Sequence, residues 1–350
     1  MKIKDIEPLV RPNIRSLCPY STARDEYKGA LGVFLDANES PYPSGWNRYP
    51  DPRQTALKEK LAPMKGVRPE NIFFGNGSDE AIDLVFRVFC NPGKDNVVAI
   101  APSYGMYEVA ASINDVEVRK VQLGEDFSLP SDKILEECDS NTKIIFLCTP
   151  NNPSGNAFSN EEVFGILEKF GGIVVADEAY IDFCSEPSLL GSLDKYPNLI
   201  VLQTFSKARG MAALRLGLAF SNPYIIGLMS MVKYPYNINE STQRLALAAL
   251  DSPIEGQVAE IVAQRGRLAE ALPGFSFVEK VYPSEANFLL VKVADADGLY
   301  NHLIAEGIIV RNRSKVTGCE GCLRITVGLP EENDKLLKSL SDYEKGNICR

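Results

Sequence analysis

Histidine, tryptophan and cysteine are scarce in this chain. Its 350 residues include one histidine, one tryptophan and eight cysteines. A Ser-His-Asp triad would have to use His302, which lies in a stretch with a helical pattern, and nothing around that residue suggests such a triad. Eight cysteines are too few for a disulfide scaffold in a chain of this length. Cys319 and Cys322 form a C-x-x-C pair without a nearby second ligand pair, so we interpret them as a turn before a strand rather than a zinc site.

Basic residues and long apolar runs are also limited. Lys and Arg number 37 against 46 Asp and Glu, which gives a net charge of −9. This balance argues against a general affinity for nucleic acid or for an anionic membrane. No run is long enough to cross a bilayer, and the first residues carry acids and prolines where a signal peptide needs an apolar segment. We therefore expect a cytoplasmic protein with small-molecule ligands.

Short apolar runs alternate with helical stretches from about residue 70 to residue 220. This pattern predicts an α/β fold with a mainly parallel sheet between helices, and the pattern after residue 250 predicts a smaller α+β domain. We expect an N-terminal arm over residues 1–34, a large domain over 35–250 and a small domain over 251–350. Ligands of such sheets gather beyond the carboxyl ends of the strands, where this chain has GNGSDE, APSYG, TPNNPSG, DEAY and TFSK.

Lys207 follows the apolar run LIVLQTF, which would bring its amine to the carboxyl edge of the sheet. Thr204, Ser206 and Arg215 add two hydroxyls and a guanidinium, a set suited to binding a phosphate. A lysine able to form an imine beside a phosphate site is the arrangement that pyridoxal 5′-phosphate (PLP) requires. The alternative is a solvated lysine at a strand end.

PLP also has a pyridine nitrogen and a phosphate. Asp177 and the segment Gly77-Ser78-Asp79 are candidates to bind these two groups. Asp177 ends the apolar run GIVVAD, where a pyridinium would be a suitable partner for a partly desolvated carboxylate. The alternative is that Asp177 caps a helix. Gly77, Ser78 and Asp79 lie where a strand gives way to a helix, and free backbone N–H groups there bind phosphate.

Three further side chains are candidates for contacts with a flat cofactor. Tyr104 is placed to stack on a ring, while Asn152 and Tyr180 are placed to donate hydrogen bonds to the oxygen on that ring. For each of them, packing in the core or a role in a turn is the alternative.

Four segments in the order G-S-D-E, N-N-P-S-G, D-E-A-Y and S-K-x(7)-R resemble the fold-type I PLP-dependent aminotransferases, over about residues 38–328. LDANESPY, NRYPDP, TFSKARGMAALRLG, GIIVR and CLRITVG are similar to the histidinol-phosphate aminotransferase family. This resemblance implies a homodimer with shared active sites that acts on L-histidinol phosphate and 2-oxoglutarate in histidine biosynthesis. It implies cofactor contacts for Ser78, Asp79, Tyr104, Asn152, Asp177, Tyr180, Thr204, Ser206, Lys207 and Arg215, and for Tyr49 from the partner chain.

The resemblance also implies catalytic and substrate-binding roles. Lys207, Asp177 and Tyr180 would be catalytic. Arg324 would bind the anionic end of both substrates, and the other expected substrate contacts are Arg311, Asn152, Asn38 and, from the partner chain, Tyr20.

Two positions depart from the family pattern. Arg209 stands where an aromatic residue is usual, and Ala213 stands where glycine is usual. Arg209 would either depress the pKa of the Lys207 amine or point to solvent. An aromatic-amino-acid aminotransferase, a threonine-phosphate decarboxylase and, more distantly, a PLP-binding regulatory module remain alternatives.

Overall fold

Seven strands form the larger of two β-sheets in the computed structural model, which describes residues 3–22 and 32–348. The strands lie in the order β1-β7-β6-β5-β4-β2-β3, with β7 antiparallel to both of its neighbours and the other neighbouring pairs parallel. They are β1 Ile72–Asn76, β2 Asn96–Ala101, β3 Glu117–Gln122, β4 Thr142–Cys148, β5 Ile173–Asp177, β6 Leu199–Thr204 and β7 Leu216–Phe220.

The central strands are apolar on consecutive residues because both of their faces are covered. Along β5, Val174 packs into one hydrophobic core and Val175 into another on the opposite side of the sheet. Both strands β5 and β6 are buried along their whole length. The prediction of a mainly parallel sheet between helices is therefore confirmed, and it brings the carboxyl ends of β4, β5 and β6 to one edge.

Helices cover both faces of the large sheet. The arm packs on one of these faces, where Ile6, Val10 and Ile14 are buried against the core. Residues 1, 2 and 23–31 of the predicted arm lie outside the described residues. Within the described residues up to 249, the α-helices are α1 Ile3–Ile6, α2 Pro12–Arg15, α3 Thr55–Lys65, α4 Ser78–Phe89, α5 Met106–Ile113, α6 Ser131–Glu136, α7 Asn160–Lys169, α8 Pro223–Val232 and α9 Glu240–Ala249.

The second sheet is antiparallel, in the order β10-β11-β9-β8. Its strands are β8 Val278–Val281, β9 Phe288–Val293, β10 Arg311–Asn312 and β11 Cys322–Thr326, and its helices are α10 Glu255–Ala271, α11 Ala296–Ala305 and α12 Pro330–Ile348. Side chains such as Val291 and Leu323 pack on these helices. From the opposite face, Leu290 packs against Phe127 of the large domain. The small α+β unit predicted from the sequence is confirmed, while the exact domain limits stay a prediction.

Two local predictions also hold. Cys322 donates its N–H to the carbonyl of Cys319 (2.9 Å) and begins β11, so this pair forms a turn before a strand. His302 lies on α11, as expected for a helical stretch. Among the helices in the described part of the chain, none is long and apolar enough to span a bilayer.

Candidate active site

A cavity of about 680 Å³ lies between the carboxyl edge of the large sheet and the inner face of the small one. The amino end of α4, the ends of β4, β5 and β6, and strands β10 and β11 contribute to its wall. Twelve of the site residues expected from the sequence line this one cavity: Ser78, Asp79, Tyr104, Asn152, Asp177, Tyr180, Thr204, Ser206, Lys207, Arg215, Arg311 and Arg324.

Lys207 lies three residues beyond the end of β6, in a turn closed by the N–H of Gly210 donating to the Lys207 carbonyl (3.0 Å). Its Nζ lies 5.4 Å from the centre of the Tyr180 ring. Burial lowers the pKa of Lys207, and the positive charge of Arg324 lowers it further, while Asp177 has the opposite effect. A larger share of the amine is therefore neutral near pH 7 than for a lysine in water.

Asp177 ends β5 and is 3% exposed. One carboxylate oxygen accepts a hydrogen bond from the Tyr107 hydroxyl (2.7 Å), and the other accepts the backbone N–H of Ala179 (3.1 Å). Burial raises the pKa of Asp177, and no lysine or arginine of the described chain lies at ion-pair distance from it. The next helical turn is capped by Tyr180, so the alternative of Asp177 as a helix cap is wrong.

The amino end of α4 forms one end of the cavity. Gly77 caps this 12-residue helix with a φ of +72°, and a side chain on Gly77 would run into the guanidinium of Arg215. On the neighbouring strand β7, a side chain on Gly217 would collide with the backbone of Gly77 and Ser78. Gly217 is thus required by close packing and Gly77 by its positive φ, and the first N–H groups of α4 remain open to an anion.

Hydroxyls and one cation complete this end. The Ser206 hydroxyl lies 3.0 Å from the Thr204 hydroxyl, and Arg215 lies 3.5 Å from the carboxylate of Asp79. The Tyr104 hydroxyl donates to the same carboxylate (3.0 Å). The phosphate-binding set predicted from the sequence is therefore brought together around one point, although Asp79 partly neutralises Arg215.

Arginines from the small sheet form the opposite wall. Arg311 and Arg324 face each other across the β10–β11 ladder, and Arg313 follows two residues later. Arg324 donates to the amide oxygen of Asn152 and lies 5.2 Å from the centre of the Phe288 ring. Burial lowers the pKa of Arg324, and its Nε has no hydrogen-bond partner in the described structure.

Three predicted residues do not line the cavity of their own chain. Tyr49 is half exposed and stacks on Tyr236 with ring centres 4.4 Å apart. Tyr20 is 76% exposed and borders a different depression, and Asn38 is exposed with a φ of +55°. The expected roles of Tyr20 and Tyr49 belong to a partner chain, whereas that of Asn38 finds no support in the geometry of a single chain.

PLP fits these residues on structural grounds. A primary amine, a buried carboxylate without a cation and a helix amino end lined by glycine lie around one cavity, which matches the aldehyde, the ring nitrogen and the phosphate of this cofactor. The unpaired Nε of Arg324 on the opposite wall leaves a donor for a substrate anion.

Residues 33–340 match the family model described as aminotransferase class I and II. The chain belongs to the class I and II aminotransferases. A curated relative from Parabacteroides distasonis, named histidinol-phosphate aminotransferase, is 57% identical over 98% of this chain and 100% of its own length. The resemblance to that family and the fold-type I class inferred from the sequence are therefore confirmed.

Solved aminotransferase structures have the same fold. The histidinol-phosphate aminotransferase of Clostridium acetobutylicum matches with a TM-score of 0.80 at 25% identity, over 86% of this chain and 92% of that one. The enzyme from Sinorhizobium meliloti, solved in complex with pyridoxal-5′-phosphate, matches with a TM-score of 0.79 at 24% identity, over 96% and 97% of the two chains.

Sequence reasoning missed two residues of this aminotransferase site. Tyr107 lies in the first turn of α5, three residues after Tyr104, and its hydroxyl donates to Asp177; the second tyrosine of YGMY was the available signal. Arg313 lies two residues after Arg311, and the strand period of two was the corresponding signal.

Arg209 lies on Phe205 and donates to the Ala249 carbonyl, outside the cavity wall, so it does not act on Lys207.

Proposed function

We propose that this chain is a PLP-dependent enzyme that transfers an amino group between L-histidinol phosphate and 2-oxoglutarate. The products are imidazole acetol phosphate and L-glutamate, a step of histidine biosynthesis in the cytoplasm. One observation carries the proposal: an amine and a buried acid on the wall of the large domain face a wall of arginines across a single cavity. Curated relatives of that name, at up to 57% identity over nearly the full length, support it.

Ten residues would hold the cofactor, which supplies an aldehyde and an electron-withdrawing ring. Lys207 would anchor the aldehyde, and Asp177 would keep a proton on the ring nitrogen, because a buried carboxylate stabilises the positive charge beside it. The amino end of α4 and Arg215 would bind the phosphate. The whole set is Ser78, Asp79, Tyr104, Asn152, Asp177, Tyr180, Thr204, Ser206, Lys207 and Arg215.

Lys207 would also act as the general base and acid. Its Nζ would take the proton from the substrate α-carbon and give it back later in the reaction. The lowered pKa of Lys207 favours this task, because a base works best when its pKa lies near the working pH. The Tyr180 ring beside Nζ limits the positions that the side chain can take.

Arg324 would bind the anionic end of both substrates. Its guanidinium is positioned by the Asn152 amide and by the Phe288 ring, and its Nε remains unpaired. A guanidinium presents parallel donors that suit both phosphate and carboxylate oxygens. The same residue would therefore serve the phosphate of one substrate and the carboxylate of the other, with Arg311 beside it.

A homodimer would complete the site. Tyr49 stands outside the cavity of its own chain with half of its surface exposed, and Tyr20 is more exposed still. We infer that both side chains reach the cavity of the partner subunit, Tyr49 toward the cofactor phosphate and Tyr20 toward the substrate.

The deciding experiment is the rate of the amino-donor half-reaction with four compounds: histidinol phosphate, histidinol, phenylalanine and O-phosphothreonine. We expect histidinol phosphate to be the best donor, and histidinol to react on the order of 10⁴-fold more slowly because it leaves buried arginine donors unpaired. A donor preference for phenylalanine would replace the proposal with an aromatic aminotransferase. Release of CO₂ from O-phosphothreonine would replace it with a decarboxylase.

Substitution of Arg324 tests the shared anion site. Arg324→Ala should slow the half-reactions with histidinol phosphate and with glutamate by at least about tenfold each, because a charge-assisted contact is lost in both. Arg209→Ala is the matched control, since it also removes a guanidinium near Lys207 in sequence but one that lies outside the cavity. A loss confined to one substrate would contradict the shared role.

A further inference from the structure

The segment that follows β10 brings one more cation to the substrate side of the cavity. The backbone N–H of Arg313 donates to the Cys322 carbonyl (2.9 Å), which continues the ladder in which Arg311 faces Arg324. Residues two apart on a strand share a face, so Arg311 and Arg313 lie on the same side as Arg324. A turn closed by the Val316 N–H on the Arg313 carbonyl (2.8 Å) holds the segment in place.

Arg313 has no partner inside the described chain. It is partly buried, its Nε is shielded from solvent, and this nitrogen makes no hydrogen bond. No carboxylate among the described residues lies within ion-pair distance of Arg311, Arg313 or Arg324. The acids that line the cavity are engaged elsewhere: Asp79 with Arg215 (3.5 Å), Asp177 with the Tyr107 hydroxyl (2.7 Å) and Glu108 with Lys120 (2.8 Å). A buried donor without an acceptor is unfavourable unless a ligand supplies one.

Repulsion among Arg311, Arg313 and Arg324 is a second reason to expect an anionic ligand at this wall. Burial lowers the pKa of Arg313, and the positive charges of Arg324 and Arg311 lower it further. Three like charges at one wall are unfavourable in the free protein, and a ligand with one negative charge leaves most of that repulsion in place. A phosphate monoester carries about 1.5 to 2 negative charges at pH 7 and three acceptor oxygens, which suits a cluster of this size.

We propose that Arg313 is a specificity-determining residue that contacts the phosphate of the amino donor and favours phosphate over carboxylate in the shared anion site. This inference rests on the proposed function and gives Arg324 and Arg313 different roles within it. Arg324 binds both anions, whereas Arg313 acts mainly on the phosphate. The preference for a phosphorylated donor then depends on a residue two positions beyond the family's GIIVR segment.

The test is the binding of an amine-free ligand to the PLP-saturated enzyme, measured by titration calorimetry. The ligand pair is 3-(imidazol-4-yl)propyl phosphate and the corresponding alcohol, neither of which can react. Arg313→Gln should weaken the phosphate ligand about ten- to hundredfold and the alcohol less than about threefold. Lys315→Gln is the matched control. It removes one positive charge only two residues from Arg313, and the Lys315 side chain lies outside the active cavity.

Each outcome decides one claim. Equal weakening of both ligands by Arg313→Gln, or an equal loss with Lys315→Gln, overturns the assignment in favour of a structural or long-range effect. If the wild type prefers the phosphate ligand and Arg313→Gln keeps that preference, Arg313 is excluded while the proposed function stands. If the wild type shows no preference for phosphate, the proposed function itself fails. In turnover, Arg313→Gln should raise the KM for histidinol phosphate and change the half-reaction with glutamate less than about threefold.

Discussion

The buried charge of Asp177 should lower the stability of the cofactor-free protein, although the PLP-loaded enzyme requires that charge for activity. Its carboxylate is 3% exposed, accepts two hydrogen bonds and has no cation of the described chain at ion-pair distance. Asp177→Asn preserves the shape and removes the charge. The amide oxygen can still accept the Ala179 N–H, and the Tyr107 hydroxyl can turn to accept from the new amide group.

The expected gain in stability follows from that geometry. Replacement of a buried charge by a neutral group stabilises by about 1–4 kcal/mol, which for 350 residues corresponds to a rise in Tm of roughly 1–6 °C. The pKa of Asp177 is raised in the folded state above its ordinary value of 3.8. The folded state therefore binds the extra proton, and wild-type stability falls as pH rises through and above 3.8. The gap between variant and wild type should be small near pH 4 and should widen as the pH rises.

Binding of PLP should stabilise the wild type more than Asp177→Asn, which is the opposite of the order expected without cofactor. Saturating PLP should raise the Tm of the wild type more than that of Asp177→Asn, because only the wild type offers a negative charge to the ring nitrogen. Turnover of Asp177→Asn should fall at least about thirtyfold, the effect of losing about 2 kcal/mol or more from a buried charge pair. Scanning calorimetry with and without PLP and a half-reaction assay measure the two effects.

The neighbouring acid provides a matched control. Glu178 is 1% exposed, and its carboxylate accepts from the Ser188 hydroxyl, the Leu189 N–H and the Gln203 amide, away from the cavity. Glu178→Gln should lower the Tm, because the new amide group would face existing donors, and it should leave turnover per folded molecule nearly unchanged. Near-normal turnover of Asp177→Asn, or a lower Tm in its cofactor-free form, would refute the reasoning.

Three further predictions concern the anchor, the dimer and a second lysine. Borohydride treatment of the PLP-loaded protein should fix the cofactor to the peptide that contains Lys207, and a label on another lysine would exclude that anchor. Mixed dimers of Lys207→Ala and Tyr49→Phe chains should regain activity in sites that contain neither change, and no gain over the parents would exclude action of Tyr49 across the interface. Burial, followed by the charge of Lys233, lowers the pKa of Lys58 to about 8, so protonation of Lys58 opposes folding below that pH. Lys58→Met should therefore raise the Tm at pH 7, and a gain of the same size at pH 10.5, where the folded wild type has lost this proton and the unfolded chain has lost about half of it, would contradict this account.

The sequence was sufficient where a strand carries a residue to the sheet edge. Lys207 and Asp177 each follow an uninterrupted apolar run, and neighbouring parallel strands end at the same edge, so their meeting follows from local pattern alone. The antiparallel insertion of β7 between β1 and β6 had no such signal, because a run of apolar residues has the same pattern in a parallel and in an antiparallel strand.

The sequence was insufficient where a contact depends on side-chain direction or on a second chain. The Tyr107 hydroxyl reaches Asp177 only because the first turn of α5 directs this side chain into the core, which requires the phase of that helix. The unpaired Nε of Arg313 is visible only once the surrounding chain is in place. Tyr49 and Tyr20 were chosen for contacts across a subunit interface, and one chain cannot test them.

Gly217 carries no group that any ligand could bind, yet it lies in β7 opposite Gly75 on one side and Thr204 on the other, with the backbone of Gly77 and Ser78 directly above it. Even one methyl group there would force the start of α4 away from the sheet. In a random mutagenesis screen, position 217 would therefore be scored together with the cofactor-binding positions. Screens that assign active-site residues from phenotype alone would thus count a packing requirement of the backbone as a functional group.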